Sequence, residues 1–248
     1  MPQTLIIGGC ARSGTTGFRS ILAQDDRLAI GLERYLKHSI NNRMTADLWS
    51  KERFADVQPD DTHVQPGHPS WSSAERTIQH AYAHYDDLVY IGDKLPRSGN
   101  NYETLHASAP KTKVLYMLRN PFDVAASYNK RARNENDKGW RPAVDYRVAV
   151  DHWNLDVSET VKYLDKLSFH IIRYETIFYS LDEFQAVYDF LNLTMTDSVA
   201  SNWQNARKKG SVREQQRSAL TDDEKVYICA HCDFTSYRKL LRAGGHLE

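Results

Sequence analysis

The residues with the most chemistry in this chain stand together near its start. Leu5, Ile6 and Ile7 run into Gly8-Gly9-Cys10-Ala11-Arg12-Ser13-Gly14-Thr15-Thr16. Gly9 and Gly14 bracket four residues, the spacing of a phosphate-binding loop that joins a strand to a helix. In such a loop, backbone N–H groups and the helix N-terminus together form an anion site. The position that would hold the lysine reaching the β- and γ-phosphates holds Thr15. A cation stands three residues earlier instead, as Arg12. The loop is suited to a phosphate-like group held without ordinary triphosphatase geometry. A plain glycine-rich turn explains less, because paired threonines and a cation accompany the glycines.

A second grip follows the apolar run Val114 to Leu118, which ends at Arg119-Asn120-Pro121. Pro121 suits the first turn of a helix, and Ser127 falls about two turns further on. Arg119 and Ser127 then converge on one anion, as a guanidinium fork and a hydroxyl donor. Two separate phosphate grips suit a nucleotide that carries phosphates at both ends of its ribose.

These residues need a frame. The pattern predicts strands before Gly8, over Leu28 to Leu32, over Leu88 to Gly92, over Lys113 to Leu118 and over Ser168 to Arg173. Helices are expected over Thr15 to Ala23, Ser70 to His84, Phe122 to Arg131, 142 to 166, and from Glu175 through Leu191. From Arg34 to about Trp71 the chain turns polar, a loop-rich excursion with one short helix near Met44 to Phe54. Unbroken apolar strands alternating with helices predict an α/β fold, a central mostly parallel sheet flanked by helices. Ligands in such folds sit at the carboxyl ends of the strands. Those ends carry Arg12, Glu33, Lys94, Arg119 and Arg173.

With these landmarks in place the chain resembles the sulfotransferases that use PAPS, 3′-phosphoadenosine 5′-phosphosulfate. Arg12-Ser13-Gly14-Thr15-Thr16 matches the family's first motif, and Arg119-Asn120-Pro121 with Ser127 matches its second. Lys94-Leu95-Pro96 is similar to an element common in the carbohydrate-type branch, and Arg173-Tyr174-Glu175 to a strand end of the family. The resemblance spans residues 4 to about 191. Arg207-Lys208-Lys209-Gly210 is similar to a basic loop that closes over the 3′-phosphate, although a solvated basic turn explains it about as well.

The resemblance implies that Arg12, Ser13, Gly14, Thr15 and Thr16 hold the 5′-phosphosulfate while Arg119 and Ser127 hold the 3′-phosphate. Arg12 and Lys94 would stabilise the leaving oxygens. It implies PAPS as donor, PAP as product, and no metal. The histidine that many members place two residues after the strand-end lysine is Pro96 here. Glu33 stands where carbohydrate-type members place a basic glutamate, and becomes the candidate base, with His63 and His68 behind it. A salt bridge from Glu33 to Arg34 or Arg12 is the plainer alternative. The acceptor is expected to be a carbohydrate or another alcohol. Two rival readings are a nucleotide kinase or NTPase, with Asp93 on magnesium, and a non-catalytic nucleotide-binding protein of the same fold.

Composition bounds the rest. The 248 residues suffice for one domain with a full core. Thirty-two basic residues balance 32 acidic ones, so nucleic acid is not an expected partner. Three cysteines do not make a disulfide scaffold, and Cys229 and Cys232 are read as ordinary thiols on a C-terminal helix. His80 and His84 share a helix face without a third ligand. No apolar run is long enough for a membrane span, and no secretory signal is read, so a cytoplasmic location is expected.

Overall fold

The computed structural model describes residues 1–137, 139–214 and 220–247. Five strands, β1 (Gln3–Gly8), β2 (Leu28–Leu32), β3 (Tyr90–Lys94), β4 (Lys113–Leu118) and β5 (Ser168–Arg173), form one sheet. Their spatial order is β2-β3-β1-β4-β5, and every pairing is parallel. β1 lies at the centre and β2 is buried along its whole length, as an apolar run in a covered parallel sheet must be.

The connections are helical. α1 (Thr15–Leu22) follows the first loop. Then come α2 (Leu36–Ile40), α3 (Lys51–Ala55), α4 (Trp71–His84), α5 (Tyr102–Ser108), α6 (Pro121–Ala132) and α7 (Tyr146–Tyr163). α8 (Tyr174–Ile177), α9 (Leu181–Leu191), α10 (Asp197–Glu214), α11 (Asp222–His231) and α12 (Phe234–Ala243) complete the order. On one face Leu5, Ile7, Leu115 and Met117 pack against Phe18 and Leu22 of α1 and Phe184 and Tyr188 of α9. On the other, Ile6, Val114 and Tyr116 meet Tyr102, Tyr128 and Trp153 from α5, α6 and α7. The alternation of side chains along β1 thus feeds two cores, one on each face.

The differences from the sequence reading have local causes. The third strand runs two residues past Gly92 because Asp93 and Lys94 stay paired to β1 and β2 at its end. Their charges find partners there: the Asp93 carboxylate accepts from the Tyr35 N–H at 2.8 Å, and Lys94 reaches Glu33. The excursion contains two short helices and a 3-10 turn, Ala46–Trp49, rather than one helix, because Ser50 is extended and interrupts it. The helix expected over 142 to 166 starts at Tyr146, where the Asp145 side chain caps the Arg147 N–H at 2.9 Å. The stretch after Glu175 breaks at Ser180, which caps α9 through the Glu183 N–H. Cys229 lies on α11, Cys232 just beyond it, and both are free thiols. Among the described residues, no helix is long and apolar enough to cross a membrane.

The excursion folds around one buried carboxylate. Asp61 is fully buried and accepts from Arg34 Nη1 at 2.5 Å, from Arg53, from His38 Nε2 at 2.9 Å and from the Gln58 N–H at 2.9 Å. These partners outweigh burial and hold its pKa well below the usual carboxylate value.

Candidate active site

The first loop is shaped by backbone positions that only small residues fill. Gly9 has φ +138°, and a Cβ there would lie 2.5 Å from the Met117 carbonyl oxygen of the next strand. Gly14 has φ +85°, and a Cβ would come within 2.4 Å of the Tyr174 ring. Both therefore require glycine. Arg12 also adopts a left-handed backbone, φ +73°, which lifts its side chain out of the turn. Ser13 and Thr15 are buried at the start of α1, whereas Thr16 faces solvent. The Ser13 hydroxyl is buried without a hydrogen-bond partner in the protein.

The second grip meets the first directly. Arg119 Nη1 donates to the Arg12 carbonyl oxygen at 2.7 Å, and Arg12 Nε donates to Ser127 Oγ at 3.0 Å. The Arg119 guanidinium lies over the Tyr174 ring, 4.0 Å from its centroid, and its Nε is buried without a partner. Asn120 caps α6 through the Asp123 N–H at 2.9 Å, and Glu175 Oε1 accepts from the Asn120 N–H and side-chain amide. These contacts fix the strand-to-helix turn that carries Arg119. Desolvation first, then the neighbouring Arg131 and Arg119, lower the Arg12 pKa from its usual value. Cations crowded in this way, with orphaned donors at Ser13 and Arg119, form a site that fits an anion. The sequence separates the two grips; the fold makes them one continuous surface.

Glu33 and Lys94 lie on the other side of β1. Lys94 Nζ donates to Glu33 Oε1 at 2.5 Å, and the lysine is almost wholly buried. The Glu33 N–H donates to the Lys94 carbonyl oxygen at 3.1 Å, so backbone and side chains pair together. Glu33 has φ +56°, which turns its carboxylate back toward the strand ends. The second carboxylate oxygen lies 3.6 Å from His63 Nε2, and the His63 and His68 rings stack edge to face at 5.3 Å. The expected alternative partners of Glu33 are engaged elsewhere: Arg34 with Asp61, and Arg12 with Ser127. Lys94, its partner across the strand pair, lies 61 residues away in sequence.

Asp93 is enclosed and capped by the Tyr35 N–H, and burial raises its pKa to about 6. It closes the turn after β2 rather than facing the loop. Arg173 lies 3.9 Å from Glu175, which places it in the support of Asn120. The basic segment 207–210 is helical, part of α10, not the expected loop, because the helical pattern of 197–214 continues through it. Arg207 and Lys208 are exposed on that helix, while the Lys209 and Gly210 side-chain positions lie outside the described residues. His80 bonds the Asp26 carbonyl oxygen and packs on His84, and no metal-binding group is found among the described residues.

Sequence reasoning missed Tyr174, which backs both Gly14 and Arg119, and the pair Arg97 and His152 beside the loop. Tyr174 sits inside the quoted Arg173-Tyr174-Glu175 landmark, so its aromatic type directly after a strand end was the available signal.

A strand, a glycine loop and a helix stand at the centre of a parallel sheet, with arginines at the carboxyl rim where ligands sit in such folds. Residues 3–197 match the sulfotransferase family, and the chain belongs to it. The backbone is similar to the sulfotransferase domain from the curacin biosynthetic pathway, with a TM-score of 0.53 at 20% identity over 84% of this chain and 80% of that one. It is also similar to sulfotransferase STF9 of Mycobacterium avium, TM-score 0.54 at 14% identity over 97% and 76%. Sulfotransferase STF1 of Mycobacterium tuberculosis H37Rv gives a TM-score of 0.53 at 16% identity over 82% and 71%. At these identities the likeness concerns the fold. A comparison with curated proteins gives no significant match.

Proposed function

We propose that this chain, acting as one domain, moves the sulfuryl group of PAPS to a hydroxyl of an alcohol, most simply a carbohydrate. The observation that carries the reading is the convergence of Arg119 and Ser127 on Arg12, beside the orphaned Ser13 hydroxyl. PAPS supplies an activated sulfuryl group and two anionic ends. Ser13, Gly14, Thr15 and Thr16 would hold the 5′ end at the α1 N-terminus, and Arg119 with Ser127 the 3′-phosphate. Tyr174 keeps the Arg119 fork flat, and Asn120 keeps its strand end in place.

Glu33 takes the proton from the acceptor hydroxyl, through the oxygen that faces His63 rather than the one on Lys94. Lys94 and Arg12 neutralise charge on the leaving side. Because Lys94 starts on Glu33, its turn toward the donor also frees the carboxylate as base. Arg34, held on Asp61, anchors the residue after Glu33 and so fixes where the base stands.

The test is a mass-detected PAPS transfer screen across sugars, aliphatic alcohols, sterols and phenols, run beside calorimetry with PAP and AMP. Sulfated product from an alcohol, with PAP bound far more tightly than AMP, supports the reading. Equal affinity for PAP and AMP would remove it, since nothing would then read the 3′-phosphate.

A further inference from the structure

The arginines of the rim divide by their partners. Arg119 has Asp123 at 3.8 Å, Arg131 has Asp137 at 2.6 Å and Arg173 has Glu175 at 3.9 Å. Arg12 and Arg97 have no carboxylate within 4.0 Å among the described residues. Arg12 is accounted for by the donor site. Arg97 is not.

Arg97 is held in place deliberately. Its backbone is left-handed, φ +58°, and its N–H donates to the Gly9 carbonyl oxygen at 2.9 Å, which ties it to the first loop. Its half-buried side chain meets the ring of His152 on α7, Nη1 to Nε2 at 3.2 Å. The other ring nitrogen, Nδ1, lies 3.2 Å from the Tyr128 hydroxyl. Desolvation and the Arg97 charge lower the His152 pKa, so the ring is a neutral acceptor for the guanidinium. Asp156 feels the Arg97 charge, but its burial raises its pKa to about 6 and its oxygens are taken by the Gly99 N–H and the Tyr116 hydroxyl. A guanidinium brought part-way out of water beside a neutral ring, with no carboxylate in ion-pair contact, has unused donors.

Its position says what would compensate it. Arg97 follows Lys94 by three residues, so their Cα atoms are at most about 11 Å apart. Tyr128, which steadies His152, is the residue after Ser127. The cation thus stands a short stretch of chain from Lys94, is tied through its N–H to the first loop and is joined through His152 and Tyr128 to the neighbour of Ser127. This deepens the sulfotransferase reading and rests on it. We propose that Arg97, positioned by His152, binds an anionic group, carboxylate or sulfate ester, on the acceptor molecule, so that the acceptor class is an alcohol that already carries a negative charge.

The experiment uses the full chain loaded with PAP and follows the imidazole resonance of His152, assigned with His152→Gln. Benzoate and phenyl sulfate are the anionic probes and benzamide the neutral one. A saturable shift with either anion, absent with benzamide and weakened at least tenfold in Arg97→Asn, is expected. Asparagine is chosen because it accepts a left-handed backbone. The two anions show which group is preferred, and binding of either supports the assignment. No shift with both anions, an equal shift with benzamide, or an unchanged response in Arg97→Asn overturns it. Calorimetry with PAP is run first: its failure sinks the donor reading, whereas indifference to anions in a protein that binds PAP sinks this one.

Discussion

The two sides of β1 solve opposite problems. On the β4 side, Arg12 and Arg119 are held by neutral oxygens or weakly by a carboxylate, and buried donors at Ser13 and Arg119 stay unused. On the β2–β3 side, Lys94 is closed by Glu33 at 2.5 Å. One side leaves donors free for an anion; on the other, in the function proposed, Lys94 must leave Glu33 to reach the donor. In that proposal preorganisation belongs to binding and rearrangement to transfer.

The largest test of that contrast is Glu33→Gln. It should cut sulfate transfer by about 10²–10⁴-fold while PAP affinity, read by calorimetry, stays within about twofold. A comparable loss of PAP affinity would mean that the two sides are not separate.

Next in size is a pH effect confined to the closed side. Asp93 ionises at about 6 in the folded protein, against 3.8 as its ordinary value. A raised carboxyl favours the folded state when protonated, so this contribution is present below about pH 4 and is lost as pH rises through about 6. Two units correspond to about 3 kcal/mol. Urea unfolding of Asp93→Asn at pH 4 and pH 7 should show a change in stability smaller by that amount than in the parent. Identical pH slopes would show that Asp93 is not a buried acid.

Arg119→Ala should weaken PAP by about 1.5–3 kcal/mol, roughly 10- to 150-fold, and leave AMP nearly unchanged. Equal losses for both nucleotides would place Arg119 on the 5′ end instead. The smallest effect belongs to Ser127→Ala, which removes the Arg12 contact and one hydroxyl donor. About 1 kcal/mol of PAP affinity should go with it, and an unaltered dissociation constant would make the serine a spacer.

Much of the frame was legible because its causes are local. β2, β4 and β5 lie where apolar runs of the right length put them, and α6 begins at Pro121 as proline at a first helical turn predicts. The first loop was legible because two glycines and a cation sit within one short stretch. What escaped depends on distant residues. Glu33 finds Lys94 across a strand pair, Tyr174 reaches Gly14 and Arg119 from the start of α8, and Arg97 meets His152 from α7. None of these pairings leaves a spacing in the sequence. Asp61 is the same lesson in the polar excursion, where a composition that reads as loop conceals a carboxylate gathering donors from residues 34 to 58.

The strand order carries a consequence for how this protein is made. β1 leaves the ribosome well before its two sheet neighbours, whose pairing begins at Tyr90 and Lys113. At about 5–20 residues per second, Leu5, Ile6 and Ile7 spend roughly 4–20 s without either strand partner during synthesis. Through that interval an apolar strand destined for the centre of the sheet is exposed, the condition under which nascent chains aggregate or are taken up by chaperones.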